Sequence, residues 1–514
     1  MDEELGSLES FLKWATQLGI SDSSSSSSSS SCGLGHSLSV SYFPDAGGRG
    51  LAAARDLRKG ELILRVPKSA LMTKDSLLEK DRKLSDAIKR HHGLSSTQML
   101  TICLLAEMGK GRRSFWYPYL MQLPRSYETL GSFGPFELKA FQVDDAIWIA
   151  EETVSKAVSQ WRESIAVMED IMLKTQLMTF KAWLWASATI SSRTLHIPWD
   201  DAGCLCPMGD FFNYTAPGED LYGFDDLESC GNASSFQVSS LENQDVKEDF
   251  ILDEECYEGE GRLTDGGYEE ILAAYCFYAR KNYRKGEQVL LSYGTYTNLE
   301  LLEHYGFLLS ENQNDKVFIP LGPDIFVSGK WPANSLFIHQ NGRPSFALLS
   351  ALRLWFTPAN QRKGLARLLY SGSQVSRQNE VAVMDWIMTN CCTILESLPS
   401  SIEEDILLLQ AIAKVQDLQS SLGEVKKLPS SVANEFDNFM GSYYLHNGQA
   451  KSCRKVKRSI QKWKLAVQWR LRYKKILADC ISFCTLTIQR LNCYNPSGDK
   501  APKLSQQLES KVSK

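Results

Sequence analysis

The sequence predicts an α+β protein in which short strands and tight turns surround a helical insertion, followed by a separate all-helical region. Three patterns carry that prediction. From Leu38 to Leu71 short apolar runs alternate with Gly, Asp and Pro, as strands joined by turns do. From about Ser95 to Ser187 helix formers and aromatic anchors dominate, and the short-strand pattern returns from Ser191 to Phe307. Beyond Pro320 long amphipathic stretches broken by Pro, Gly and Ser describe a second core made of helices alone.

Taken in order, Phe11, Leu12, Trp14, Ala15 and Leu18 form a helical stripe between Ser10 and Ile20. The serine run Ser23 to Ser31 has nothing to bury and reads as a spacer, which closes an N-terminal segment at 1–35. Residues 36–310 form the strand-rich domain. Its helical insertion covers about 95–190, with Met99, Cys103, Leu104 and Met108 on one helix face. Between Glu219 and Glu270 an acidic segment that includes Asp253-Glu254-Glu255 reads as a solvated surface loop. The helical domain, 320–495, is predicted from Ser345 to Phe356, Val381 to Leu398, Glu403 to Leu422 and Ser459 to Leu491. A disordered tail, 496–514, follows.

At 514 residues the chain exceeds one ordinary domain, so two or more cores are expected. A formal net charge of −5 gives no general attraction to nucleic acid, and no apolar run reaches the length that spans a bilayer. The acidic start Met1-Asp2-Glu3-Glu4-Leu5 disfavours a presequence and points to an intracellular protein of cytoplasm or nucleus, with the plastid left open. The thirteen cysteines include two close pairs, Cys204 with Cys206 and Cys391 with Cys392. Neither is followed by a second pair at zinc spacing, so they read as reduced thiols and no metal is expected.

The most informative block runs Arg284-Lys285-Gly286-Glu287-Gln288-Val289-Leu290-Leu291-Ser292-Tyr293-Gly294 and continues to His304-Tyr305-Gly306-Phe307. A turn Gly launches an apolar strand that ends on Tyr293. A capping box, Thr297 with Glu300, then starts a short helix that Gly306 stops beside Tyr305. Two phenols on rigid elements suit a narrow slot that offers a hydroxyl to a polar reaction centre. Upstream stand Gly47-Gly48-Arg49-Gly50-Leu51 and Met208-Gly209-Asp210-Phe211-Phe212-Asn213-Tyr214-Thr215. One short internal echo, Arg58-Lys59-Gly60-Glu61 and Arg284-Lys285-Gly286-Glu287, reads as one turn solution used twice.

In this order the blocks resemble the SET-domain protein methyltransferases, in the branch of the Rubisco large-subunit lysine methyltransferase, and within it the plant SET-domain-group proteins. The resemblance runs from Leu8 to about Leu491. It implies a threaded SET β-fold split by a helical insertion, a helical substrate-binding domain, S-adenosylmethionine as methyl donor and transfer to a lysine of a non-histone protein. Methyl transfer from a sulfonium is an in-line displacement, so the protein mainly aligns two reactants and lets the lysine lose its proton.

Carried over to this chain, the resemblance sets Gly47, Gly48 and Arg49 against the donor and pairs Arg193 with its carboxylate. It gives Asn213 and Tyr214 the donor's amino-acid and adenine ends. Tyr293 becomes the catalytic phenol, Tyr305 lines the lysine channel, and Asp210 falls in the substrate pocket. One departure is plain: the family's middle block reads Asn-His-Ser or Asn-His-Thr, where this chain has Asn213-Tyr214-Thr215.

The last helix combines Trp463, Val467, Trp469 and Ile476 with Lys462, Arg470, Arg472, Lys474 and Lys475, which reads as a packed helix with a basic outer face. A monomer that engages its protein substrate through the helical domain is expected, with no membrane or nucleic-acid partner. Two rivals stay open: a catalytically silent recognition module, and a methyltransferase directed at histidine.

Overall fold

A computed structural model of the chain describes residues 2–23, 33–43, 48–216, 265–322, 325, 331–416, 430–444 and 453–493. Gly47, the serine run beyond Ser23, the acidic segment up to residue 264, the helix predicted past Gln416 and the C-terminal tail lie outside the described residues. The chain divides into two units, residues 1–127 with 156–295, and residues 128–155 with 296–514.

Among the described residues the first unit carries nine short strands: β1 (Leu38–Phe43), β2 (Gly48–Ala53), β3 (Leu62–Pro67), β4 (Thr194–Ile197), β5 (Asp200–Leu205), β6 (Asn213–Tyr214), β7 (Gly266–Glu269), β8 (Ala274–Tyr278) and β9 (Gln288–Leu291). They form three small sheets, ordered β1-β2-β9-β6, β3-β8-β7 and β4-β5. The first sheet builds the site. β9 lies between β2, antiparallel with Leu51 opposite Val289, and β6, parallel with Asn213 opposite Leu290. Val289 and Leu291 point into the core, so the apolar run that predicts this strand also fixes which face it buries.

The N-terminal helix Asp2–Gln17 belongs to this core. Phe11 and Ala15 are fully buried, and the Phe11 ring sits 5.4 Å from Phe211 and 6.3 Å from Tyr119. Three longer helices fill the predicted insertion: Ser96–Lys110, Asp144–Asp170 and Phe180–Arg193. The first begins on a capping box, Ser95 with Gln98. It differs from the one-sided helix predicted there, because Leu100 through Leu105 are all buried. A helix apolar all round is a central core helix.

The second unit holds the Asn298–His304 helix, which starts on the Thr297–Glu300 capping box and ends before Gly306 at φ +81°. It also holds Phe346–Trp355, Arg377–Ser397, Ile402–Gln416, Ser430–Tyr444 and the 41-residue helix Cys453–Cys493. At 1.5 Å per residue that last helix is about 60 Å long. Its Trp463, Ala466 and Val467 lie in one apolar cluster and its Ile476, Leu477 and Cys480 in another, with Tyr473 packed against both.

The basic outer face predicted on this helix is corrected at two positions. Arg470 and Lys474 are buried. Arg470 binds Asp405 through Nε at 3.0 Å and Nη2 at 2.7 Å, and Glu435 through Nη1 at 3.0 Å and Nη2 at 2.9 Å. Lys474 donates to Asp405 at 2.7 Å and to the Ser400 carbonyl at 2.6 Å. The physical reason is that four charges from three helices neutralise one another, so cations at helical spacing with apolar neighbours form a buried network instead of a solvated face.

Candidate functional site

Three stretches far apart in the sequence meet on the first sheet. β2 brings Gly50, β6 brings Asn213 and Tyr214, and β9 with its C-terminal extension brings Gln288 and Tyr293. The contact is tight at Gly50: a Cβ there would lie 2.6 Å from Asn213 Nδ2 and 3.0 Å from Gln288 Nε2. Only a glycine lets these two amides share the space above β2. Both nitrogens are buried, and neither has a hydrogen-bond partner. Two unpartnered buried donors side by side are costly unless a bound molecule supplies acceptors.

Tyr293 is half-buried, and its hydroxyl donates to the carbonyl of Phe212, one residue before Asn213. Burial pushes the phenol's pKa well above its usual range, so it stays protonated at neutral pH. Two anchors hold it in place. Asp265 accepts the Ser292 N–H at 3.0 Å while pairing with Arg280 Nε at 3.1 Å, which pins the residue before Tyr293. Tyr214 packs its ring 5.2 Å from the Tyr293 ring and donates its hydroxyl to the Gly294 carbonyl at 2.9 Å. The phenol at 214 therefore ties β6 to the backbone just beyond Tyr293.

Arg193 ends its helix pointing at Asp210. Nη1 donates to the Asp210 carbonyl at 2.8 Å and to its carboxylate at 3.1 Å, and Nε donates to the Tyr127 hydroxyl at 3.2 Å. About a fifth of the side chain is exposed. Nη2 carries none of these bonds, which leaves one edge of a fixed guanidinium open to an anion. The expectation for Asp210 is corrected. Its carboxylate is fully buried, accepts from Arg193 and from Tyr119 (2.9 Å), and orients the arginine instead of facing a substrate. Burial raises its pKa, with Arg193 and Tyr119 opposing that rise. Tyr119 and Tyr127 are also pushed up by burial and stay protonated.

Arg49 is committed elsewhere: Nη1 donates to Gln122 Oε1 at 2.7 Å, and the guanidinium lies 4.2 Å over the Phe211 ring. Its backbone pairs with Tyr42 at the start of β2, where Gly48 lies opposite Phe43. Tyr305 belongs to the second unit, at the end of the Asn298–His304 helix, its ring 5.5 Å from Tyr296 and 6.1 Å from Phe307. Sequence reasoning missed Tyr119, Tyr127 and Gln288. The two tyrosines sit in the helical insertion, where no local pattern separates them from core aromatics. Gln288 stands inside the Gly-Glu-Gln block, and that block was the available signal.

Cys204 and Cys206 are buried free thiols, and burial pushes Cys204 up to about 12. No group of three or more His, Cys, Asp or Glu side chains among the described residues could hold a metal ion.

Two family profiles match the chain: the SET domain over residues 48–294 and the Rubisco LSMT substrate-binding region over residues 300–477. Protein SET DOMAIN GROUP 40 of Arabidopsis thaliana is 52% identical over 497 residues, covering 96% of this chain and 98% of that protein. The actin-histidine N-methyltransferase of Canis lupus familiaris is 25% identical over 76% of this chain, which spans 65% of that protein's length. A crystal structure of the SET domain of LSMT bound to lysine and AdoHcy superposes with a TM-score of 0.52 at 17% identity, covering 95% of this chain and 92% of that one.

Proposed function

The chain belongs to the SET-domain family, in the branch that carries a Rubisco LSMT-type substrate-binding region, and from that premise we propose that it is a protein-lysine N-methyltransferase that uses S-adenosylmethionine and acts on a non-histone protein. The observation that carries this reading is the meeting of Gly50, Asn213, Gln288 and Tyr293 on one sheet, with two amide donors left without acceptors. The residues fit the donor. The open edge of Arg193 suits its carboxylate, and the amides of Asn213 and Gln288 suit its acceptor atoms. Backbone at Gly48 and Arg49, with Gly47 before them, would lie along it, and Tyr214 would close the adenine end.

When bound, S-adenosylmethionine supplies an activated methyl group in line with an incoming nitrogen. The chain's own groups then do three things. Arg193, held by Asp210 and Tyr127, fixes the donor's orientation. The buried surroundings of Tyr293 disfavour an ammonium and so help a lysine shed its proton. The Tyr293 hydroxyl, fastened to the Phe212 carbonyl, keeps its oxygen in one place to receive the target amine. Tyr305 keeps the channel role that the sequence resemblance implies, and the helical unit is the proposed holder of the protein substrate.

Tyr293→Phe should lower turnover by about 10²- to 10⁴-fold while donor affinity stays near wild type. Single-turnover assays with tritiated donor on fractionated plant extract measure this, and unchanged rates would remove the assigned role. Peptide mapping of the labelled band decides the acceptor. A histidine acceptor is the second reading, favoured by the similarity to actin-histidine N-methyltransferases. Absence of donor binding by calorimetry would leave only a recognition module.

A further inference from the structure

The internal echo is longer in space than in sequence. The two turns extend to Asp56-Leu57-Arg58-Lys59-Gly60-Glu61 and Asn282-Tyr283-Arg284-Lys285-Gly286-Glu287, and they grip each other reciprocally. Leu57 and Tyr283 exchange both backbone hydrogen bonds at 2.9 Å. The Lys59 N–H donates to the Asn282 side chain at 2.9 Å, and the Lys285 N–H donates to the Asp56 side chain at 2.8 Å. The Gly60 N–H reaches the Ala279 carbonyl and the Gly286 N–H reaches the Ala53 carbonyl, each at 2.8 Å. Glu61 accepts from the Arg58 N–H and Glu287 from the Arg284 N–H. Both glycines have positive φ, +81° and +90°. The pair is a local two-fold whose axis passes through the Leu57–Tyr283 bridge.

This arrangement fixes a cationic surface. Arg58, Lys59 and Arg284 are exposed and line an open cleft of about 1530 Å³ away from Asn213 and Tyr293. Lys285 is exposed beside it, and none of the four pairs with a carboxylate among the described residues. The cleft's carboxylates are committed: Asp56, Glu61 and Glu287 each accept a backbone N–H, and Glu61 also pairs with Arg55. Four cations are thus held together on rigid turns in a chain whose formal charge is −5.

We propose that this two-fold cleft docks a short acidic segment of a protein partner, with Arg58 and Arg284 as equivalent anchors for two carboxylate-bearing positions. A guanidinium forks onto a carboxylate, and a pair related by a local axis favours two such contacts at a set spacing. A nucleic acid fits less well, because the lining offers no exposed ring for base stacking, since Tyr283 is buried. The docking stands apart from methyl transfer, because it needs neither the donor nor the pocket at Tyr293.

Fluorescence anisotropy of a labelled deca-glutamate peptide on the full chain tests it. Binding at 50 mM salt should weaken about tenfold at 200 mM, because exposed charge contacts are screened. Arg58→Glu and Arg284→Glu should each weaken it by roughly 5- to 10-fold and to the same degree, and the double variant should abolish it. Lys83→Glu, an exposed cation on another face, should leave binding unchanged. The milder Arg58→Gln/Arg284→Gln pair guards against misfolding and should also lose most binding, with an unchanged melting temperature. Wild-type binding by either double variant overturns the proposal. So does a single-stranded RNA decamer that displaces the peptide at equal charge.

Discussion

Two buried aspartates, one in each unit, make opposite use of an arginine. Asp405 in the helical unit accepts from Arg470, Ser400 and Lys474, so both of its oxygens are occupied. Its arginine is likewise fully engaged with Glu435 and with the Ala140 carbonyl, 2.7 Å away. Asp210 in the strand-rich unit uses only Oδ2; Oδ1 is buried without a partner, and Arg193 keeps an open edge. A network satisfied at every atom holds helices together and has nothing to offer a ligand. A network left incomplete, beside two more unpartnered amides at Gly50, has donors to give. The difference separates a structural charge cluster from a binding one more clearly than burial or charge does.

The comparison can be broken first at its stronger member. Asp405→Ala strands Lys474 as a buried cation, leaves Arg470 paired with Glu435 alone, and should cost about 3–5 kcal/mol in chemical denaturation. A change under about 1 kcal/mol would show that the helical unit is not held by this cluster.

Asp210→Asn should cost less, about 2 kcal/mol, because Arg193 is partly exposed and Tyr119 can still donate to the amide. Its sharper signature is in pH. Burial holds the Asp210 pKa above the unfolded value near about 3.9, so the folded chain keeps a proton that the unfolded chain has already lost. Wild-type stability is therefore favoured below that value and declines as pH rises through the raised folded pKa. The Asn variant lacks this decline, so the gap between the two should narrow from about pH 4 upward. The same variant should weaken donor binding, since Arg193 loses its support.

Gly50→Ala should cost roughly 1–3 kcal/mol by driving the Asn213 amide off its position, with donor affinity falling further than stability. Tyr214→Phe is the mildest, about 1 kcal/mol for the lost bond to Gly294. Paired calorimetric titrations and thermal scans would rank these two. A Phe variant as damaged as the Ala variant would mean that the Tyr214 hydroxyl matters more to the site than the glycine approach does.

Much of the architecture was legible because its cues are local. Val289-Leu290-Leu291 after a turn glycine read as a strand, and β9 covers Gln288–Leu291. Thr297 and Glu300 read as a capping box, and the Asn298–His304 helix starts there. The errors concern charge, where the deciding partner lies far along the chain. Arg470 and Lys474 looked like a solvated face because Asp405 and Glu435 occupy other helices that periodicity cannot pair with them. For Asp210 the resemblance implied a place in the substrate pocket, and the partners that bury it, Tyr119 and Arg193, arrive from other helices. The unpartnered amides at Asn213 and Gln288 were invisible because orphaned donors are a property of assembled space.

The placing of β9 between β2 and β6 also sets a clock on the ribosome. A nascent chain that has emerged only as far as Tyr214 holds the glycine edge and the asparagine, but it lacks the strand that joins them. Closing so long a loop is entropically tolerable yet slow, so donor capture must await synthesis past Tyr293, when most of the first unit's core is already available to pack.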